Sequence, residues 1–267
     1  MDKRPIGIMD SGVGGLSAVR ALLRARPEES FCYLGDEAHM PYGVLDHDTL
    51  VRYGLANLHF LLRQDVKAVL TACGTLSAEA LDILSAHCPV PILGVIDAAA
   101  REAARITQSK RVGIIGTRVT IENGAFERRI ASEDPAIQTL GVACPQLVIL
   151  AEQGHLSPED SLLQEATEGY LSPIRVFGAD TLILGCTHFS VLRDALQALL
   201  PGVTLVDASA AAVSALLTVL RSEDLLAPDG IQGRGRVCVT AGAQGFTDIA
   251  ERFIGSDFSF PVETITL

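Results

Sequence analysis

Short apolar runs alternate with helical stretches along this 267-residue chain. Brief runs of aliphatic residues are typical of buried strands, and strands that alternate with helices indicate parallel βαβ units. We therefore predict an α/β fold. Ligands of such folds bind beyond the carboxyl ends of the strands, so functional residues should directly follow the apolar runs. The predicted strands span residues 6–9, 31–34, 66–71, 92–96, 112–115, 181–184, 203–206 and 237–240.

The chain also repeats itself loosely. The segment IGIMDS at 6–11 resembles VGIIGT at 112–117, and VLTAC at 69–73 resembles LILGC at 182–186. The order and the rough spacing of the two segments are kept in the second copy. We therefore predict two similar α/β halves, each with a cysteine at a strand end. No low-complexity linker separates them, so the halves should pack closely together.

The charge balance argues against two classes of partner. The chain has 21 basic and 32 acidic residues, a net charge of −11, with 5% aromatic residues and no tryptophan. We expect binding neither to nucleic acid nor to an anionic membrane surface. The most apolar run, 208–220, falls short of the ~20 residues that a membrane span requires. It predicts a buried helix.

Cysteine usage indicates a reducing compartment. The chain has six cysteines and no CxxC pair, which favours free thiols over disulfides or a zinc site. The first twelve residues lack the long apolar segment of a secretory signal. We therefore expect a cytoplasmic protein without a metal.

The segment Asp-Ser-Gly-Val-Gly-Gly at 10–15 joins a predicted strand to a predicted helix. Glycines let backbone N–H groups approach an anion, and a helix N-terminus favours negative charge. A tight strand-to-helix turn is the alternative interpretation. Neither a P-loop nor a GxGxxG pattern is present. A small anion such as a carboxylate fits the segment better than a nucleotide.

Two cysteines occupy equivalent places at predicted strand ends, each before a helical or turn segment. These are Cys73 in the first half and Cys186 in the second. A free cysteine is more often a small buried hydrophobe, but the paired setting favours a function for both. A helix N-terminus also lowers a thiol pKa. The remaining cysteines are assigned to packing (Cys32, Cys88, Cys238) or to the neighbourhood of the site (Cys144).

Two thiols that face each other across a cleft suggest one reaction. One sulfur removes a proton from a carbon acid and the other returns a proton to the opposite face, which inverts the stereocentre. Asp10 is a candidate partner for Cys73, and Glu152 and His188 are candidates for Cys186. A solvated helix charge is the alternative for Glu152, and a packing histidine is the alternative for His188.

The lysines favour a route without pyridoxal phosphate, which requires a Schiff-base lysine. The chain has Lys3, Lys67 and Lys110, and none follows a predicted strand or lies in a glycine-rich segment. We therefore expect no cofactor.

Together these motifs resemble the glutamate racemases of the cofactor-independent aspartate/glutamate racemase superfamily. The resemblance covers nearly the whole chain and is specific because the motifs occur together and in order. The motifs are DSGVGGL at 10–16, PYG at 41–43, AC at 72–73 with Thr75, ACP at 143–145, Glu152 with Gly154, and LGCTH at 184–188.

The resemblance implies two α/β domains, 1–97 with 208–267 and 98–207, with the active site in the cleft between them. It implies that Cys73 and Cys186 interconvert L- and D-glutamate, with Asp10 assisting the first and Glu152 and His188 the second. It further implies a cytoplasmic homodimer that supplies D-glutamate for peptidoglycan. The residues it assigns to the substrate are Asp10, Ser11, Pro41, Tyr42, Gly43, Gly74, Thr75, Thr187 and His188.

The chain departs from the family pattern near the first cysteine. The family usually reads ACNTASA, whereas residues 72–78 read ACGTLSA. Loss of an asparagine hydrogen bond to a charged group costs ~1.5–3 kcal/mol. Residues 44–46 (Val-Leu-Asp) replace the usual basic residue and serine, and 189–190 (Phe-Ser) replace Tyr-Pro. We therefore expect a divergent racemase with a weakened or altered preference for glutamate.

Three alternatives stay open at this point. The first is a racemase of the same superfamily for aspartate or another small carbon acid. The second is a dicarboxylate-binding relative with little turnover. The third is a thiol hydrolase in which His188 activates Cys186. A separation of only two residues argues against the third, because without a turn the two side chains cannot meet.

Overall fold

The computed structural model describes residues 1–255 and 259–267, which form two sheets with flanking helices. The strands are β1 (Ile6–Asp10), β2 (Phe31–Gly35), β3 (Ala68–Thr71), β4 (Ile92–Gly94), β5 (Arg111–Gly116), β6 (Gln138–Ala143), β7 (Thr181–Leu184), β8 (Thr204–Asp207), β9 (Gly235–Val239) and β10 (Val262–Thr264). The first sheet has the order β10-β9-β2-β1-β3-β4, and the second has the order β6-β5-β7-β8. Every strand pairing within the described residues is parallel, which confirms the predicted α/β class.

Twelve helices are described, together with 3-10 turns at Val13–Gly15, Tyr42–Val44 and Thr187–Ser190. The helices are α1 (Leu16–Ala25), α2 (His47–Leu62), α3 (Gly74–Glu79), α4 (Leu81–Ala86), α5 (Val95–Ile106), α6 (Arg118–Asn123), α7 (Ala125–Glu133), α8 (Pro145–Gln153), α9 (Ser161–Phe177), α10 (Arg193–Leu199), α11 (Ala208–Ser222) and α12 (Ala243–Ile254).

All eight predicted strands are present, and their ends lie within two residues of the predicted bounds. Val95 and Ile96 were expected to continue β4, but they begin α5. Both side chains are buried all the same, and an apolar run has the same composition whether it is a strand or a buried helix.

Two strands have no counterpart in the prediction. β6 and β10 are edge strands, and most of their residues are partly or fully exposed. A strand that is not buried on both faces lacks the continuous apolar run on which the prediction depended.

The repeat in the sequence corresponds to a repeat in the fold. In the first sheet Met9 of β1 pairs with Thr71 of β3, and in the second Ile115 of β5 pairs with Leu184 of β7. The two strand pairs end in the segments that carry Cys73 and Cys186. The fold therefore places the two cysteines at equivalent positions.

Helices α5 and α11 pack against each other where the two sheets meet. Asp207 caps α11, since its carboxylate accepts hydrogen bonds from the backbone N–H groups of Ser209 and Ala210. On the apolar side of α11, Ala212, Val213 and Leu216 are buried, which confirms the predicted buried helix. One apolar cluster runs through residues of both sheets. The domain boundaries after residues 97 and 207 stay a prediction.

The side chain of Lys67 is buried and is held by an ion pair and hydrogen bonds within the protein. Its ammonium nitrogen lies 2.6 Å from Glu29 Oε2, and both side chains are fully buried. It also donates hydrogen bonds to the backbone oxygens of Asp2 and Leu225, which ties distant parts of the chain to the first sheet. Across the described segments, no helix is long and apolar enough to cross a membrane.

Candidate active site

A cleft of about 560 Å³ lies beyond the carboxyl ends of β1, β3, β5 and β7. It brings together segments that are far apart in the chain, as the parallel topology requires. Ten of the predicted site residues line it: Ser11, Pro41, Tyr42, Gly43, Cys73, Gly74, Thr75, Cys186, Thr187 and His188. Asp10 and Glu152 do not line the cleft but contact residues that do.

Cys73 follows β3 and forms the N-cap of α3, where its sulfur accepts a hydrogen bond from the backbone N–H of Leu76 at 3.5 Å. Burial raises the pKa of the Cys73 thiol and the negative charge of Asp10 raises it further, whereas backbone N–H groups lower it. Burial therefore outweighs the expected effect of the helix N-terminus. Cys73 holds its proton at neutral pH in this environment.

The environment of Cys186 is different because a cation lies beside it. Nδ1 of His188 lies 3.9 Å from the sulfur, and Nε2 lies 2.8 Å from Oε1 of Glu152. Burial alone would lower the pKa of His188, but the hydrogen bonds with Cys186 and Glu152 raise it to about 10. His188 is therefore an imidazolium at neutral pH, so a positive charge lies beside the Cys186 sulfur.

Cys186 and His188 meet because a turn lies at this point, which is the condition that the spacing of two residues sets for their contact. Thr187–Ser190 forms a 3-10 turn, which folds the His188 ring back towards the sulfur. The alternative interpretations of Glu152 as a solvated charge and of His188 as a packing residue are also replaced, since the two side chains form one chain of contacts that ends at a thiol.

Asp10 is fully buried behind the cleft. Its Oδ2 accepts a hydrogen bond from the backbone N–H of Gly15 at 2.8 Å, and Thr187 Oγ1 lies 3.5 Å from the same oxygen. Burial raises the pKa of Asp10, and the positive charge of His188 counteracts part of this rise. Asp10 acts electrostatically on Cys73 and is placed between the two halves of the site.

The glycine-rich segment 10–15 serves close packing more than anion binding. A β-carbon at Gly14 would lie 2.5 Å from Nδ1 of His188 and from Oγ1 of Thr187. Of this segment, only Ser11 lines the cleft. The expected anion cradle is therefore reduced to Ser11, and the absent side chain at Gly14 lets the second half of the site approach the first.

Tyr42 and Gly43 are buried and line the cleft from the 3-10 turn Tyr42–Val44. The hydroxyl of Tyr42 donates to Oδ2 of Asp36 at 2.5 Å and accepts from the amide of Asn57 at 3.0 Å. The hydroxyl is thus occupied by other protein groups. A β-carbon at Gly43 would lie 2.8 Å from Cβ of Thr117, so glycine allows this turn to contact the second half.

Gly74 lies against the backbone of the other half of the site. A β-carbon there would lie 2.2 Å from the carbonyl oxygen of Gly185. Real β-carbons do not approach a backbone oxygen this closely. The place where the family usually has an asparagine is therefore filled by the main chain that leads to Cys186.

The sequence prediction missed several residues of the cleft. Oγ1 of Thr117 lies 2.9 Å from Oγ1 of Thr75, which joins the two halves, and Arg118 follows it at the start of α6. Thr117 was within reach, because the sequence repeat aligns it with Ser11. Arg118 contributes the only Lys or Arg side chain among the residues that line the cleft. No short-range signal distinguished it from other surface arginines.

Glu37 is a second residue that the prediction missed. Burial raises the pKa of Glu37 to about 7, with further contributions from the negative charges of Glu152 and Asp10. Its Oε1 is buried without a hydrogen-bond partner in the described part of the chain and lies close to Gly12. Three carboxyl groups thus surround the single histidine of the site.

Comparisons with known proteins identify the family. The family model for Asp/Glu/Hydantoin racemase matches residues 6–216. A glutamate racemase of Geobacter metallireducens is 39% identical, over 96% of this chain and 94% of the relative. The chain belongs to this racemase family.

Solved structures of glutamate racemases superpose closely on this chain. The glutamate racemase of Francisella tularensis subsp. tularensis SCHU S4, in complex with D-glutamate, superposes with a TM-score of 0.91 at 31% identity, over 100% of this chain and 98% of that one. The glutamate racemase of Thermus thermophilus, in complex with beta-chloro-D-alanine, gives a TM-score of 0.89 at 38% identity, over 100% and 99% of the two chains. This racemase-family chain is an isomerase with the α/β fold of those enzymes.

The ionisation of His188 predicts how the stability of this racemase depends on pH. The pKa of His188 is about 10 in the folded chain, above its ordinary value of 6.5. The folded state therefore binds more protons in this window, and the resulting stabilisation is complete below about pH 6.5 and lost as pH rises through 10. Urea unfolding at pH 6 and at pH 10 should show that His188→Asn removes a few kcal/mol of this dependence. An identical pH dependence in both proteins would contradict the assignment.

The packing of Gly74 predicts that a side chain there is harmful. Gly74→Ala should lower kcat/KM at least tenfold, because the new β-carbon pushes apart the strand ends that carry the two cysteines. Gly169→Ala in α9 is the matched control, since nothing lies within 4 Å of its β-carbon position. Racemisation assays of both variants test the effect. Higher glutamate turnover by Gly74→Asn would show that the site opens to accept the asparagine.

Proposed function

We propose that this chain interconverts L- and D-glutamate by two proton transfers that involve Cys73 and Cys186. The observation that carries the proposal is that both sulfurs line one cleft, each supplied by the end of a strand in a different sheet. The curated relatives named glutamate racemase, and the D-glutamate complex of the Francisella enzyme, support glutamate as the substrate.

The proposed reaction divides the work between a thiolate and a thiol. In one direction the Cys186 thiolate removes the proton from the α-carbon, and Cys73 donates its own proton to the opposite face. The protonation states of the two sulfurs are then exchanged, and the reverse reaction or proton exchange with solvent restores them. The raised pKa of Cys73, which keeps this thiol protonated, and the imidazolium beside Cys186 suit this starting state.

Asp10, Glu152 and His188 have supporting roles in this proposal. Glu152 holds the His188 ring by a 2.8 Å contact and keeps it charged, and His188 stabilises the Cys186 thiolate. Asp10 raises the pKa of Cys73 and contacts Thr187. It therefore keeps Cys73 in the protonated form that donates to the α-carbon.

We propose that the substrate is held by backbone and hydroxyl groups from both halves together with one cation. Nine candidates were predicted from the sequence, and all of them except Asp10 line the cleft: Ser11, Pro41, Tyr42, Gly43, Gly74, Thr75, Thr187 and His188. Tyr42 contributes its ring and main chain, since its hydroxyl is engaged elsewhere. Arg118 is exposed at the rim without an ion pair in the described residues, and it is free to pair with a substrate carboxylate.

The lysines support a mechanism without pyridoxal phosphate. Lys67 is engaged in its buried ion pair, and Lys110 lies 2.9 Å from Asp134 outside the cleft. Neither is placed to form a Schiff base with a molecule in the cleft. We propose further that the protein is a cytoplasmic homodimer that provides D-glutamate for peptidoglycan.

The two-thiol proposal predicts that each cysteine is indispensable. In D₂O the wild-type chain should incorporate deuterium at the α-carbon of L- or D-glutamate while the optical rotation decays. Cys73→Ala and Cys186→Ala should each abolish racemisation. Cys88 lies outside the cleft, so Cys88→Ala is the control and should leave racemisation intact. Mass spectrometry and polarimetry give the two readouts. Racemisation that persists in either cleft variant would contradict the mechanism. Faster turnover of aspartate than of glutamate would assign aspartate as the substrate.

The position of Arg118 predicts that its substitution weakens substrate binding and leaves the rate of proton transfer nearly unchanged. Arg118→Gln should raise KM for glutamate about tenfold with kcat nearly unchanged, because a charge-assisted hydrogen bond of ~1.5–3 kcal/mol is removed from substrate binding. Arg105→Gln, an exposed arginine of α5 outside the cleft, is the control. Steady-state kinetics in both directions give the measurement. An unchanged KM would assign the carboxylate to other groups.

A further inference from the structure

Helices α3 and α6 pack against each other, although they follow strands of different sheets. Helix α3 comes after β3 and is capped by Cys73, whereas α6 comes after β5 and is capped by Thr117. Both capping residues line the cleft, so each helix begins at the active site. Each helix has six residues, so its last residue lies about 8 Å from its start, at the rise of ~1.5 Å per residue of an α-helix.

The two helices are linked at both ends. At the cleft, Oγ1 of Thr75 lies 2.9 Å from Oγ1 of Thr117, a contact that belongs to the site already described. At the far ends, Nδ2 of Asn123 donates a hydrogen bond to Oε1 of Glu79 at 2.8 Å. Glu79 and Asn123 are the last residues of α3 and α6, and neither lines the cleft. Contact with a substrate therefore does not account for this second link.

Further partners fix the orientation of both side chains in the second link. Oδ1 of Asn123 accepts a hydrogen bond from Nη2 of Arg128 at 2.9 Å, so its NH₂ group must face Glu79. Oε2 of Glu79 lies 3.1 Å from Nδ1 of His47, the first residue of α2. The side chain of Glu79 is 17% exposed. Partial shielding from water strengthens a hydrogen bond to a carboxylate relative to the same bond at a fully exposed site.

The contact at Gly74 allows the two sheets to approach but does not hold them together. Glycine removes the β-carbon that would collide with the carbonyl oxygen of Gly185. Within the described residues, however, no backbone hydrogen bond joins Gly74 to Gly185. An approach that is only permitted by the absence of a side chain requires attractive contacts elsewhere, and the links between α3 and α6 are such contacts.

We propose that the hydrogen bond between Glu79 and Asn123 is a positioning contact that keeps Cys73 and Cys186 at the separation that racemisation requires. Cys73 is the cap of the helix that Glu79 ends, so a shift of α3 against α6 moves its sulfur. Both residues act at a distance from the substrate, through the helices that they join. This inference rests on the proposed function, in which both sulfurs must reach one α-carbon.

A contact of this kind affects substrate affinity through a population. The apparent dissociation constant equals the intrinsic one divided by the fraction of molecules in the competent arrangement. A weaker link lowers that fraction and raises KM. Saturating substrate restores the competent arrangement, so kcat stays nearly unchanged. A general loss of stability would instead remove active molecules and lower the measured kcat.

Asn123→Asp tests the contact, because it places a second carboxylate against Glu79. It should raise KM for L- and D-glutamate about threefold or more, with kcat nearly unchanged. Asn123→Ala, which removes the link without adding a charge, should change KM in the same direction.

A second substitution in the Asn123→Asp chain provides the rescue. Glu79→Gln should return KM to near the wild-type value, because the glutamine amide then donates to the new carboxylate. Asp82→Asn is the matched control, since it removes the same charge from an exposed position of the neighbouring helix α4. It should leave KM of the Asn123→Asp chain elevated.

Alkylation of the cysteines by iodoacetamide reports the arrangement without any substrate. The Asn123→Asp chain should react about threefold faster or more at Cys73 and Cys186, and the rescued chain should react at the wild-type rate. Mass spectrometry of the peptides assigns the rate of each cysteine. Cys32 and Cys238 are buried in β2 and β9, outside the cleft, and serve as the internal reference for unfolding.

The same measurements show how the inference would fail. Either an unchanged KM or an unchanged alkylation rate of the cleft cysteines in the Asn123→Asp chain would overturn it. Equal rescue by Asp82→Asn, or an equal rise in alkylation at the buried reference cysteines, would also overturn it, in favour of surface charge or global stability. A wild-type chain without racemase activity would refute the proposed function, whereas the alkylation rates would still decide whether the contact holds the cleft.

Discussion

The site depends on the close approach of two main-chain segments, one from the end of a strand in each sheet. The backbone at Gly74 meets the carbonyl of Gly185, and Gly14 lies directly against His188. At each contact a β-carbon would collide with the other half. The missing side chains let two strand ends converge, so that thiols separated by more than a hundred residues line the same cleft. A glycine-rich segment here serves geometry more than anion binding.

The charge at the site is set by an excess of carboxyl groups over positively charged side chains. Asp10, Glu37 and Glu152 surround His188, and burial raises the pKa of Asp10 and of Glu37. The charge of His188 opposes both shifts. Burial thus favours the neutral form of Glu37, which reduces the negative charge next to the cleft. This reduction matters for a substrate that is itself an anion, because like charges in a poorly hydrated site repel strongly.

The sequence predicted the parts of this arrangement that depend on strand order. Buried parallel strands are continuous apolar runs, so β1, β3, β5 and β7 could be located, and polar residues that directly follow them had to meet at one edge. The edge strands β6 and β10 were missed because partial exposure interrupts the apolar pattern. Glu37 and Arg118 were missed because their roles depend on neighbours brought together by tertiary contacts rather than on any local motif.

Orientation of side chains was the other part beyond the reach of the sequence. PYG at 41–43 indicated a tyrosine at the substrate, but the hydroxyl of Tyr42 is held by Asp36 and Asn57. Likewise, the spacing of Cys186 and His188 allows contact only through a turn, and the sequence did not show that Thr187–Ser190 forms one. The same turn brings Thr187 to Asp10 and His188 to Glu152, so both carboxylates are joined to the segment that carries Cys186.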